Sequence, residues 1–276
     1  MGNPGQRKQP TPLSKRNPQG FSLIELVVVL FVLTALAGVG VTAMQGMSTT
    51  THGATDATMI ARLDNAMRTE EARQGAVGAP GFDTLIDTNG DVADYLMGSS
   101  SWLTPLTLDN TATTVTPLGG GSTSVTAVGV ETALQNAGIT EVYSMIPDAS
   151  VATADATFDN VDTSVDIAFG SATVALLTEE TGTDLNLDPA SVYVVFGLGK
   201  DCDLTGDGGV LSEAPVFMPR VGSSRDKYSN LMVIYRIPET GMNPDAQYVG
   251  AGMPMMSGIL NATHHVKVYH EGRDGE

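Results

Sequence analysis

Oxygen-bearing side chains alternate along KDCDLTGDGGVLSE, residues 200–213. Asp201, Asp203, Thr205 and Asp207 fall at relative positions 1, 3, 5 and 7, with Gly206 at position 6. A hard cation needs several oxygens, and this alternation points them inward while the glycine permits a tight bend. Calcium is the cation such a loop would suit. Two features depart from a helix-flanked calcium loop: position 12 is Ser212, with Glu213 one residue later, and the segment before the loop has strand character. The expectation is a calcium loop in a β-connection, set against a plain Asp/Gly turn with no metal. The stretch DTNGD, residues 87–91, alternates similarly, but its glycine is misplaced and no acid follows at loop spacing. A turn is expected there. His264, His265 and His270 sit on a strand-like segment whose alternation splits them between two faces, so they do not converge on zinc. Cys202 is the single cysteine, which rules out an internal disulfide and leaves a structural thiol as its expected role. No nucleophile elbow, zinc-protease helix, phosphate loop or dinucleotide fingerprint is present, and catalysis is not expected.

The remaining residue that invites chemistry is Glu25. It stands at the edge of an apolar run, and no charged residue follows from Leu26 to Met44, 19 positions. That length matches a helix through a bilayer core. An acid in such a segment is costly and usually functional. Charge along the chain is uneven. The net charge is −17, from 14 basic and 31 acidic residues. Arg7, Lys8, Lys15 and Arg16 lie in the first twenty residues, which hold no acid; without them 10 bases face 31 acids, giving −21. The basic leader orients the apolar helix with its start in the cytoplasm and the body outside. The acidic body repels phosphates, so no nucleic-acid partner is expected. The run is too long for the apolar region of an ordinary signal peptide.

The segment GFSLIE, residues 20–25, preceded by KRNPQ and followed by the unbroken apolar run, resembles the class III leader of type IV pilins and type II secretion pseudopilins. The resemblance implies that a prepilin peptidase cuts between Gly20 and Phe21 and that the new Phe21 amine is N-methylated. A glycine before the cut allows close backbone approach to a protease. Glu25 would meet the positive N-terminus of a neighbouring subunit and set register in a filament, because either charge alone in a dry bundle is expensive. The implied partners are identical or related pilin subunits, prepilin peptidase, an inner-membrane assembly platform and membrane lipid. The implied location is the bacterial inner membrane, single pass with the head in the periplasm, then an extracellular or periplasmic filament. Major pseudopilins also hold calcium in a loop where other pilins use a disulfide, which is similar to the loop at 201–213.

Helical spacing continues past the apolar run. Met59, Ile60, Leu63 and Met67 recur at helical intervals, with Asp64, Arg68 and Glu71 opposite. Gln74, Gly75 and the GAPG of residues 78–81 signal the stop. Gly38, Gly40, Gly46 and Gly53 are weak points of the helix. A short helix is expected within residues 92–106, and exposed strands or a flexible insertion across the Thr- and Gly-rich 107–131. ETALQNAGI reads as a helix ending at Gly138. VDIAFG, TVALLT, SVYVVFGLG, NLMVIYRIP and HHVKVYH read as strands. The expected organisation is a removed leader at 1–20, a long helix at 21–74 that is transmembrane to about residue 45, and a head at 75–276. The expected fold class is α+β, pilin-like, with the helix packed on an antiparallel sheet. The favoured function is a structural subunit of a type IV pilus or type II secretion pseudopilus. The alternative is a membrane-anchored minor pilin acting as a calcium-dependent adhesion or ligand-binding module.

Overall fold

The computed structural model describes residues 22–75, 78–87, 89–93, 96, 102–109, 112–145, 161–166, 172–178, 185–199, 201–206, 208–215, 228, 230–239, 245–255 and 258–260. The chain divides into two compact units, Met1–Thr49 and Thr50–Glu276. Helix α1, Leu23–Gln74, runs without a break through all four of its interior glycines. It stops where expected: Gly75 takes φ +72°, a conformation that a side chain disfavours.

In the first unit, the large apolar side chains from Leu23 to Leu36 are bare. Leu23 is 81% exposed, and the most covered of the set, Val32, is still 48% exposed. In the second unit the same helix changes character. Ile60, Leu63 and Met67 are buried, while Arg62, Asn65 and Arg68 face outward.

That buried stripe closes over a sheet. The strands are β1 (Phe82–Asp87), β2 (Leu103–Thr107), β3 (Glu141–Met145), β4 (Val161–Asp166), β5 (Thr173–Leu177), β6 (Val192–Gly197), β7 (Met232–Ile237), β8 (Gln247–Met255) and β9 (Gly258–Leu260). A second helix, α2 (Ala127–Asn136), lies between β2 and β3. β6 is the hub. One of its edges is lined along its whole length by β7, antiparallel. Its other edge is shared: β5 pairs at Val194 and Val195, and β1 at Gly197. The sheet therefore forks into a β5–β2 arm and a β1–β3–β4 arm.

The antiparallel expectation holds with one correction. β1 and β3 run parallel, Phe82 opposite Val142 and Asp83 opposite Tyr143. A parallel neighbour needs a long crossover, and the connection carrying β2 and α2 supplies it.

Both faces of the sheet are covered, which explains why SVYVVFGLG reads as a continuous apolar run rather than an alternation. Val192, Val194 and Phe196 point into the helix-side core with Leu63, Met67 and Leu134. Tyr193 and Val195 point into a second core with Trp102, Leu85, Ile234 and Tyr228. Across the helix side, Phe82 stacks on Phe196 at 5.6 Å, Phe196 meets Tyr235 edge-on at 6.0 Å, and Tyr235 meets Tyr248 at 5.9 Å. The row ends on α1, where the Tyr248 hydroxyl donates to Asp64 at 3.0 Å and Arg68 pairs with the other oxygen of that carboxylate.

Several expectations resolve differently. α2 starts at Ala127, earlier than ETALQNAGI suggests, because Thr126 caps it by accepting from the Gly129 N–H at 3.2 Å. It ends as expected, with Gly138 at φ +92°. The Thr- and Gly-rich stretch is not exposed decoration: Leu108, Val115, Leu118 and Val125 are buried in the two cores. The end of the segment expected to hold a short helix forms β2 instead. HHVKVYH and the three histidines lie outside the described residues.

Truncation of the seam tests this packing. Leu63→Ala should destabilise residues 50–276 by about 2–5 kcal/mol, the usual range for a fully buried leucine. Tyr248→Phe should cost about 1 kcal/mol, one net hydrogen bond. Urea denaturation monitored by far-UV circular dichroism reads both, and a Leu63→Ala loss below about 1 kcal/mol would show that α1 is not packed here.

Candidate functional site

Two regions carry the expected chemistry, the start of α1 and the loop after β6. At the first, Gly20 and Phe21 lie outside the described residues. Glu25 is described, and it is exposed. Its carboxylate accepts from the Ser22 backbone N–H at 2.9 Å, and the Ser22 hydroxyl accepts from the Glu25 N–H at 3.3 Å. This reciprocal pair is a capping box, which satisfies two of the orphan donors at a helix start. A Ser three residues before a Glu, ahead of an apolar run, is its sequence signature, so Ser22 was legible as part of the site. Glu25 thus has a local use within one subunit, besides any partner it takes in an assembly.

Downstream of this cap the helix has no polar face. Leu26 through Leu33 are all apolar and all exposed. A helix that is apolar all round belongs in a bundle or a bilayer rather than in water. Among the described residues, no helix is long and apolar enough to cross a membrane. The described side chains cover the uncharged run only as far as Ala37, and those of residues 38–53 lie outside the description.

The loop after β6 is built against the entry to β1. Cys202 and Leu204 point into the helix-side core, and Asp201 and Asp203 are exposed. The Asp203 N–H donates to the Pro80 carbonyl at 3.1 Å. Gly81, at φ +87°, has no room for a Cβ because the Asp201 carbonyl and the Cys202 Cα press on it. Thr205 departs from the alternation. Its side chain is buried, and its hydroxyl donates to the Cys202 carbonyl at 2.9 Å. Asp207 and Lys200 lie outside the described residues. Of the four expected ligands, the described structure brings Asp201 and Asp203 to one surface and turns Thr205 away from it. Among the described residues no three acidic, histidine or cysteine side chains are placed to hold a metal.

Neighbouring groups register the loop's charge. Tyr143 on β3 has its phenol pushed above the ordinary tyrosine value, first by partial burial and then by Glu141, Asp201 and Asp203. Cys202 is 1% exposed, and burial drives its thiol far above the usual range. The structural-thiol expectation fits that burial. The stretch 87–91 is a turn, with the Asp87 carboxylate accepting from the N–H groups of Asn89 at 2.8 Å and Asp91 at 3.0 Å.

A buried polar pair sits beside the loop and had no clear signal in the sequence. The Tyr228 hydroxyl donates to Asp83 at 2.7 Å inside the second core. A Cβ at Gly197 would overlap the Tyr228 hydroxyl, and one at Gly199 would overlap the Asp83 carboxylate. The glycines of SVYVVFGLG therefore make space for this pair.

Residues 15–41 match the family model described as the prokaryotic N-terminal methylation motif. The chain carries a class III prepilin signal. The match supports the type IV pilin and pseudopilin family and marks the protein as a type IV pilin-like substrate of a prepilin peptidase. It covers about a tenth of the chain, all of it in the leader and the first part of α1. No curated protein and no solved structure matches this pilin-like chain significantly.

Cys202 provides a check on the loop. Folded protein should be inert to a maleimide at neutral pH and become stoichiometrically labelled in denaturant, because both burial and the raised thiol pKa suppress the thiolate. Rapid labelling of folded protein, followed by mass spectrometry, would show that the loop does not pack on β1 as described.

Proposed function

We propose that the protein is a structural, non-enzymatic subunit of a type IV pilus or type II secretion pseudopilus, polymerising through α1 after removal of residues 1–20. The observation that carries the reading is the bare start of α1, Leu23–Leu36, which lies within the matched methylation motif. About four turns of apolar side chain stand exposed, and burying them offers roughly 25 cal/mol per Å². A bilayer before assembly and a bundle of like helices after it are the two environments that cover such a surface. In this reading the uncharged run 26–44 holds the subunit in the inner membrane until assembly. Glu25 then passes from its own cap to the N-terminal amine of a neighbour. Identical or related pilin subunits, the prepilin peptidase and an inner-membrane assembly platform are the partners.

Processing is tested by intact-mass measurement of native protein. The chain should begin at Phe21 and be heavier by one methyl group; a start near residue 45 would mean ordinary signal-peptidase cleavage and remove the reading. The assembly role of Glu25 needs a variant that keeps the cap. Glu25→Gln preserves a capping-box side chain but not the charge, and it should insert normally while entering sheared filaments at least tenfold less than wild type. Equal incorporation would reduce Glu25 to a helix cap.

The second reading, a calcium-dependent binding module, draws on the exposure of Asp201 and Asp203, whose charges both reach Tyr143. Asp207 would complete the carboxylate set, with backbone carbonyls of the loop as further ligands. With calcium bound, residues 50–276 should melt higher by an increment that grows as RT ln(1 + [L]/Kd), magnesium should substitute poorly, and Asp203→Ala should abolish the shift. Tyr143 should titrate closer to its ordinary value when calcium neutralises the loop. One melting temperature in calcium, magnesium and chelator would leave an acidic turn.

A further inference from the structure

A groove of about 460 Å³ runs along the flank of α1 in the second unit, between Met59, Arg62 and Thr69 on the helix and Leu211, Glu213 and Pro215 on the loop. Its apolar floor is incomplete: Met59 and Leu211 pack on the helix-side core yet remain partly exposed. Its charge is unusual for this body. Four cations are described beyond residue 50, and three are neutralised within the chain: Arg68 by Asp64, Arg73 by Glu70 and Arg236 by Asp188. The fourth, Arg62, is exposed at the groove and makes no ion pair among the described residues. Glu213 lines the facing wall without an ion pair to Arg62 among the described residues, so the groove holds one unpaired cation and no excess of acid on a body of net charge −21 (10 bases against 31 acids).

Copies of such a body repel one another wherever acid faces acid. A contact between copies is least opposed where local charge is not negative, and it is favoured where a cation is left to pair across the contact. We propose that this groove seats an acidic edge of a second copy of the chain, with Arg62 as the intermolecular partner of its carboxylate and Met59 and Leu211 as the apolar floor. A groove on one copy that takes a different surface of the next is a head-to-tail contact, the kind that propagates into open filaments. The inference rests on the subunit reading above and adds a specific contact within the second unit to the one made by the apolar helix.

The test uses full-length protein, as detergent-solubilised monomer and as sheared filaments. Ser212→Cys places the one accessible thiol on the groove wall while leaving Arg62 intact, since Cys202 is buried. Glu239→Cys, exposed at the end of β7, serves as the control. Maleimide should label both variants in monomers, and in filaments should label residue 239 but residue 212 at least tenfold more slowly. Arg62→Glu should cut incorporation severalfold with an unchanged melting temperature, and Arg62→Lys should restore it. Equal labelling of residue 212 in the two forms overturns the proposal. Protection of residue 212 with normal incorporation of Arg62→Glu overturns the pairing. If wild-type protein is found in no filament, the subunit reading itself fails, and this inference falls with it.

Discussion

Ile60, Leu63 and Met67 lie on one face of α1, and that face closes over an aromatic surface running from Phe82 through Phe196 and Tyr235 to Tyr248. The rest of the second unit depends on this seam. β6 and β7 can be apolar on both sides only because α1 covers one side and the loops carrying Trp102 and Tyr228 cover the other. The Tyr248–Asp64–Arg68 chain fixes the helix's rotation, since a turn of the helix about its axis would remove Asp64 from the tyrosine.

The hub strand faces a second constraint. β1 and β5 compete for one edge of β6, and β1 brings the carboxyl of Asp83 into the sheet at that fork. Burying a carboxyl is costly without hydrogen bonds, and Tyr228 supplies one. Space for the pair comes from Gly197 and Gly199, which lack the side chains that would collide with it. The loop leaving this point is held by Cys202 and Leu204 in the core and by the Pro80 carbonyl. Packing and backbone hydrogen bonds therefore do at this loop what a disulfide could not, the chain having one cysteine.

Glu25 has a local partner at the start of α1. In one subunit it closes a capping box with Ser22, and in a filament it would face the neighbour's amine. The two uses would be compatible in sequence, because an N-terminal amine would offer the carboxylate a charged donor in place of a neutral one, and a charge-assisted bond is the stronger. A carboxylate held at the helix start until a better partner arrives need not be solvated within the apolar run.

The sequence by itself determined the features that depend on local spacing and composition. The basic leader, the uncharged run, the helix stop at Gly75, the α2 terminus at Gly138, the Asp87 turn and the strands β5, β6 and β7 were all legible, because capping, turn chemistry and apolar periodicity act over a few residues. The tertiary structure alone decided what depends on distant partners. β1, β3, β8 and β9 were overlooked because their mixed or short sequences become strands only by pairing with one another and with β4, β6 and β7. The parallel β1–β3 pair needed the crossover to be seen. The alternation DCDLTGD predicted four oxygens on one side; Cys202 and Leu204 do turn to the core on the other, but Thr205 turned inward to the backbone of its own turn. A period of two states which residues share a side while the strand stays extended; it says nothing once the chain bends. The pairing of Asp83 with Tyr228, 145 positions apart, left no local trace, since a buried polar contact is made by the fold and by no neighbour in the chain.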